Sequence, residues 1–540
     1  MSSTQFTDFA RYKEQRAALI SSNLNRSLRP DHSVTVSAAE AKADKFVREL
    51  RAAISIWGTE HEGVPIPFPG MQFLTGRSII STTKLFNFLI PKGGLLHAHL
   101  EATVNAEYVL KIALEQPALH VRSTAPHSAL NLSKILPQFS PFPRKMFTDS
   151  DTALTDTFYS PDTWVSLKKA RASFDPALGG PAGFDKWVIA AMVISPAEGQ
   201  SIGPAINLFE EKFTDTFTVS NGLPRFTPVW KQYIYEFLRA SVEDGVSYVE
   251  TRINFYSKYM FGEDGQEKVP HHDWLKIFDE TLGEFKAELK SQEREDEFIG
   301  ARIIYSTLRL IDLEELEWYR EDCITLKQEL PHLIADSTSF RCFDLVGPEN
   351  MLKPLIYYAE DLLRFRERQK EVGVDIPFIL HAGETLGDGT EADVNLYDAI
   401  LLGTLRFGHG FSLVKHPKLM KTCREKGILN EVCPISNEIL RLTSSMPMHP
   451  LPILINNGLP VTLCSDDPAV FRNMGLTFDF YQISLRVLSR SEVTGLIALR
   501  ELARDSLKHS TLEPSEKQRA ISAWRKRWKK SVESIVDFTK

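Results

Sequence analysis

Residues 342–382 read CFDLVGPENMLKPLIYYAEDLLRFRERQKEVGVDIPFILHA. A short apolar run, 342–347 (CFDLVG), precedes the helix-like stretch LIYYAEDLLRFRERQK, and a second apolar run, 377–382 (PFILHA), follows it. Strand, helix and strand in that order form a βαβ unit, whose crossover makes the two strands parallel. Three similar runs lie upstream, at 93–99 (GGLLHAH), 247–253 (SYVETRI) and 301–307 (ARIIYST). Three more lie downstream, at 406–410 (RFGHG), 428–433 (ILNEVC) and 460–465 (PVTLCS). Most intervals hold helix-like sequence, such as FLRASVEDG ahead of the second run. Eight strands alternating with helices predict an α/β fold, a closed TIM-like (β/α)8 barrel rather than an open sheet.

The interval of roughly 101–246 is far longer than the ~2–6 residue loops usual in α/β units. Its middle is rich in Pro, Phe, Asp and Ser without a clean period, which predicts an inserted subdomain at the barrel rim. The expected organisation is an N-terminal helical extension (1–90), a barrel (91–117 and 226–510), the insertion (118–225) and a C-terminal helix (511–540). In the extension Phe46, Leu50, Ile54 and Trp57 have helical spacing, and EGVPIPFPG (62–70) breaks any helix. Near the end, Ile521, Trp524, Trp528, Val532 and Ile535 form an apolar stripe with Arg and Lys between them. A helix packed on the barrel is the expectation, and a membrane or calmodulin-like helix is the alternative.

The 540 residues carry a formal net charge of -7, with 43% hydrophobic and 25% charged residues. That balance suits a soluble enzyme with a small substrate and argues against a nucleic-acid partner, which calls for a basic field. The five cysteines form no C-x-x-C pair, and their number is odd. A disulfide framework or cysteine zinc site is not expected. The first thirty residues lack the apolar region of a signal peptide, and no run reaches the ~18 apolar residues of a membrane span. The expectation is a cytoplasmic protein without a membrane partner.

Four polar clusters fall at the ends of predicted strands. These are His97-Ala98-His99 after the first, His381-Ala382-Gly383-Glu384 after the fifth, Gly408-His409-Gly410 after the sixth, and Ser465-Asp466-Asp467-Pro468 after the eighth. Two residues apart on a strand share a face, so His97 and His99 project together. Singly, His97 and His99 read equally well as polar residues at a strand end, and each other cluster reads better as a backbone-bonded histidine, a helix cap or a solvated carboxylate. Jointly they occupy the carboxyl ends of barrel strands, where such barrels assemble active sites from distant segments. Three histidines and an aspartate suit Zn²⁺, with room for a catalytic water.

The ordered series PKGGLLHAHLEA, DLVGPE, HAGE, RFGHG, EVCPISNEIL and HPLPILINNGLPVTLCSDDPAVF resembles the motifs of the adenosine deaminase family, from about residue 91 to 475. The long insertion and the phrase PKGGLLHAHL resemble its adenosine deaminase growth factor branch. The resemblance implies one Zn²⁺ per subunit, held by His97, His99, His381 and Asp466. It implies that Glu384 protonates purine N1 and that His409 orients or deprotonates the water activated at the metal. It further implies that Asp467 contacts N7, the Gly347 backbone meets N3, and Glu101 lies near the ribose 5′-hydroxyl.

The expected reaction is hydrolytic deamination of adenosine, with 2′-deoxyadenosine alongside it, to the 6-oxo product and ammonia. Zinc lowers the pKa of bound water from 15.7 toward ~7, and protonation of N1 makes C6 electrophilic. The cytidine-deaminase arrangement needs P-C-x-x-C beside H-x-E; here Cys433-Pro434 has the reverse order without a second cysteine, and Cys433 reads as a buried strand residue. Three alternatives stay open: the same chemistry on AMP or an N6-substituted adenine nucleoside or nucleotide, a non-catalytic growth-factor-like binding protein, and another metal-dependent hydrolase on this fold. The extension and insertion resemble segments that make dimers in the growth factor branch, implying a homodimer; a local cap over the barrel base is the other reading.

Overall fold

The computed structural model describes residues 9–26, 34–53, 72–82, 90–147, 152–161, 163–195, 206–330, 342–484 and 495–538. Eight parallel strands run in chain order: β1 (Gly93–Leu95), β2 (Val246–Asn254), β3 (Gly300–Leu308), β4 (Cys342–Val346), β5 (Leu380–Ala382), β6 (Arg406–His409), β7 (Leu429–Val432) and β8 (Val461–Leu463). Each begins within three residues of a predicted apolar run, because a strand covered on both faces is a nearly continuous apolar stretch. All but the last residue of β2 are buried.

The strands pair as two four-stranded sheets, β1 to β4 and β5 to β8. Register runs through Gly93↔Val246, Tyr248↔Gly300 and Ile304↔Cys342 in the first, and Leu380↔Phe407, Arg406↔Leu429 and Asn430↔Val461 in the second. Single bridges join the two sheets into a ring. Phe343↔Phe378 links β4 to the residues entering β5, and Ala98↔Asp466 links the residues leaving β1 to those leaving β8.

Helices follow the strands and bury their apolar stripes outside the ring. Leu313–Glu329 starts at a capping box, in which Asp312 accepts from the Glu315 amide and Glu315 from the Asp312 amide. Leu355–Val372, the helix of the opening stretch, stops where Gly373 takes φ +71°.

Between β1 and β2 the chain builds a three-stranded antiparallel sheet (Leu119–Arg122, Gln138–Pro141 and Val165–Ser166) and helices that include Ala106–Leu114, Gly180–Met192 and Ile206–Asn221. Its apolar side chains run into the barrel core without a break. It also touches the turn after β8: the Ile194 amide donates to the Val470 carbonyl at 3.0 Å, and Phe213 stacks on Phe471 at 5.8 Å.

The last helix, Pro514–Phe538, buries Trp524, Trp528, Val532 and Ile535. Trp524 Nε1 donates to the Pro91 carbonyl just ahead of β1, and Trp528 Nε1 to Glu40. Glu40 belongs to the helix Ala38–Ala53, where Val47 is buried and Phe46 partly so. Ile54, Trp57 and the segment 62–70 lie outside the described residues. Among the described residues no helix is long and apolar enough to cross a membrane.

Candidate active site

The predicted strand 93–99 ends early, at Leu95. Beyond that point the backbone is shared between two neighbours. The Asp466 amide donates to the His97 carbonyl and the His99 amide to the Asp466 carbonyl, whereas the Ala98 carbonyl accepts from the Arg252 amide of β2. His97 and His99 still project together, with ring centroids 5.4 Å apart. His381, in β5, brings its ring to 4.8 Å from His97 and 5.3 Å from His99. Asp466 completes the group: its Oδ1 lies 3.2 Å from His97 Nε2 and 3.4 Å from His99 Nε2.

These separations fit a cation. Tetrahedral zinc bonds of about 2.1 Å place ligand atoms roughly 3.4 Å apart. His97 Nε2 and Asp466 Oδ1 are buried with no hydrogen-bond partner, although buried polar atoms are normally paired. The ligand atoms form overlapping groups, each spanning no more than 4.8 Å: His97, His99 and Asp466 in one, and His97, His381 and His409 in another. A third comprises His409, Cys433 and Asp466. Cys433 lies just past β7 rather than in it, and its Sγ donates to the Glu431 carbonyl.

The ionisation states suit ligation. Burial pushes His99 down to about 3 and His381 well below the histidine range, leaving neutral imidazoles with a lone pair to offer. Burial works against ionising Asp466, but His409, His97 and His99 outweigh it and hold the carboxyl well below its usual range. Asp466 Oδ2 also accepts from Ser436 Oγ at 2.7 Å.

Behind the histidines lies a buried ionic layer that motif reading missed. His97 Nδ1 is 2.8 Å from Glu431 Oε2, and His381 Nδ1 is 2.7 Å from Asp344 Oδ2. Arg252 joins the two carboxylates, donating to Asp344 at 2.7 Å and to Glu431 at 2.9 Å. Arg406 joins Glu431 to Glu250, each at 2.6 Å. Arg252 and Arg406 overcome burial to keep Glu431 far below the carboxylate range. Together with Asp466 this makes four carboxylates against two guanidinium groups, two formal negative charges in excess, which a divalent cation would neutralise. Asp344 and Glu431 stand inside the quoted motifs; their alternation within a strand was the available signal.

His409 and Glu384 face each other, with Nε2 3.4 Å from Oε1, and His409 Nε2 is 3.8 Å from Asp466 Oδ2. Burial pushes His409 down to about 3, so its imidazole is neutral. His409 and Asp466 both adopt positive φ, at +69° and +59°. Non-glycine residues held there store strain of order 1–3 kcal/mol, common at functional sites. Gly408 lets the rings approach, because a Cβ there would sit 3.0 Å from His381 Cγ and 3.1 Å from His97 Cε1. Glu349, also unassigned from sequence, accepts from the Glu384 amide at 2.9 Å and fixes the turn that carries that side chain.

Asp467 precedes the short helix Pro468–Phe471 and is buried. Burial, with Asp466, Glu384 and Glu101 nearby, pushes its carboxyl well above the usual range. Glu101 sits in the turn Leu100–Ala102, accepts from the Asn254 amide at 2.8 Å and is raised by burial to about 7. Gly347 follows β4 with φ +113°, where a Cβ would lie 2.6 Å from Leu352. The structure thus brings His97, His99, His381, His409, Glu384, Asp466 and Asp467 into one cluster at the carboxyl ends of the strands, with Glu101 and Gly347 at neighbouring strand ends.

Residues 208–526 match the family model described as Adenosine deaminase. The chain is 31% identical to Adenosine deaminase 2-A of Danio rerio over 527 residues, 97% of this chain and 94% of the relative. It is 30% identical to Adenosine deaminase 2 of Homo sapiens over 473 residues, 87% and 84% of the two chains. The fold resembles that of the N6-methyl-AMP deaminase from Arabidopsis thaliana, with a TM-score of 0.51 and 15% identity, covering 82% of this chain and 98% of that one. A barrel closed around a histidine–carboxylate cluster, matched across nearly its whole length by such relatives, places this chain in the adenosine deaminase family as a hydrolytic deaminase.

Proposed function

We propose that the protein deaminates adenosine, and 2′-deoxyadenosine alongside it, to the 6-oxo nucleoside and ammonia, using one Zn²⁺ per subunit. His97, His99, His381 and Asp466 would hold the ion. The observation that carries this reading is the convergence of those four side chains beside the facing pair Glu384 and His409. Bound there, Zn²⁺ supplies Lewis-acid activation of water.

The remaining work falls to side chains. Glu384, 14% exposed, gives a proton to purine N1, which draws electron density from C6 and opens it to attack. His409 takes the proton released as water adds, and its contact with Glu384 gives that proton a route toward the leaving amine. Asp467 and the Gly347 backbone orient the ring at N7 and N3.

AMP and N6-substituted adenine compounds are the competing substrates, since the Arabidopsis protein of similar fold carries N6-methyl-AMP in its name. A small cavity between the turn after His99 and the turn after Asp467 is lined by Glu101, Met192, Ser220, Tyr233 and Val470, and among the described residues Glu101 is its one charged group. A 5′-phosphate calls for Arg or Lys there, so the lining favours a nucleoside. Rates on adenosine, 2′-deoxyadenosine, AMP and N6-methyladenosine with zinc-replete protein test the reading. Higher kcat/KM on AMP than on adenosine overturns it.

A further inference from the structure

The ionic layer does not stop beneath the histidines. Glu250, which Arg406 binds through one carboxylate oxygen, accepts through the other from Thr511 Oγ1 at 2.8 Å and from the Thr511 amide. The free arm of Arg406 donates to the His509 carbonyl at 3.1 Å. An unbroken path therefore runs from Thr511 through Glu250, Arg406 and Glu431 to His97, and through Arg252 and Asp344 to His381. Glu250, Arg252, Asp344 and Glu431 are wholly buried, and Arg406 and Thr511 nearly so.

In such surroundings each charge is held by its partners, because a buried ion that loses one is left uncompensated. Shifting any member therefore moves the carboxylates that aim two imidazoles. Residues 509–511 join the helix Leu496–Lys508 to the last helix, Pro514–Phe538, so the path ends on a segment remote in sequence from every candidate ligand.

We propose that Arg252, Arg406 and Glu250 are positioning residues for the metal-ligating histidines, and that Thr511 in the C-terminal connection is the far anchor of that unit. This rests on the metal reading above. The unit fixes imidazole direction and tautomer, so its loss weakens ion binding and turnover together while leaving the contacts to substrate in place.

The test uses full-length protein loaded with Co²⁺ or Zn²⁺. Thr511→Val removes the hydroxyl donor and keeps the backbone one; Thr511→Ser restores it; Glu250→Gln removes charge at the next link. The expected result in both Thr511→Val and Glu250→Gln is a changed Co²⁺ d–d spectrum, faster loss of Zn²⁺ to a chelator (by about 10-fold in Glu250→Gln) and lower kcat with KM within about 2-fold, while Thr511→Ser keeps the wild-type spectrum, Zn²⁺ loss rate and kcat. Should Glu250→Gln fail to fold, Thr511→Val and Thr511→Ser alone decide the matter. Unchanged spectra and Zn²⁺ loss rates in a metal-loaded variant overturn the proposal and leave the metal reading standing. Wild-type protein that takes up no Co²⁺ or Zn²⁺ overturns both.

Discussion

His409 Nε2 stands 3.4 Å from Glu384 Oε1, so the two groups assigned to proton transfer confront each other across the site. They arrive on different strand ends, β6 and β5, and their separation is set by the parallel pairing Ala382↔His409. Replacing Glu384 by Gln keeps the side-chain shape and removes the proton donor. The expected outcome is stoichiometric Zn²⁺ with kcat reduced by about 10²–10⁴, measured by metal analysis and steady-state kinetics. Unaltered kcat would end the general-acid role.

Gly408→Ala tests the packing of the ligand cluster. The added methyl meets His381 and His97 at 3.0–3.1 Å, closer than such contacts normally come. One or both rings must move, and overpacking of this kind costs about 1–3 kcal/mol. A loss of metal affinity beyond 10-fold, with the barrel's circular dichroism retained, is expected from competition titration. A variant that binds metal like wild type would show that the rings have room to spare.

Metal removal should destabilise the fold. Two excess negative charges remain when the cation leaves, and a ligand present at 1,000 times its Kd contributes about 4 kcal/mol to the folded state. Chelation is expected to lower the Tm by several degrees, with recovery on adding Zn²⁺ but not Mg²⁺, read by scanning calorimetry. An identical Tm with and without chelator would contradict this.

Acid should weaken the fold through a histidine outside the site. Both ring nitrogens of His127 are buried without hydrogen-bond partners, and the ring lies 4.2 Å from that of Trp187. Burial pushes it down to about 4 from an ordinary value near 6.5. The unfolded chain therefore takes up this proton before the folded one does. The stability is present above about pH 6.5 and is lost as pH falls toward 4, at up to about 1.4 kcal/mol per pH unit. His127→Phe fills the same apolar place without a titratable group, so its denaturation midpoint should fall less between pH 6.5 and 5. Parallel pH curves for the two proteins would refute the assignment.

Much of this was legible in the sequence, and the reason is local. β-Strands buried on both faces leave apolar runs, and the polar residues in or just past their ends (His381 and His409 within, His97 and Asp466 beyond) stand out by chemistry. The interior layer was opaque for the opposite reason. In SYVETRI, Glu250 and Arg252 belong to no motif that marks them, yet both are fully buried and paired with Arg406, Asp344 and Glu431 across the barrel. Period-two patterning reports which residues share a face, not whether that face meets water or opposite charge. The contact between Glu250 and Thr511 spans 261 positions, beyond any local signal. The first strand is shorter than its apolar run because past Leu95 the backbone pairs only singly, His97 and His99 with Asp466 on one side and Ala98 with Arg252 on the other.

The ring's closing joint, where Ala98 meets Asp466, is made by the opening and final turns of the barrel's circuit, and the same few residues supply His97, His99 and Asp466. Fraying that begins at either extremity of the barrel therefore reaches the chemistry early. Activity should vanish while most of the secondary structure survives, making turnover an early alarm for loosening of this protein.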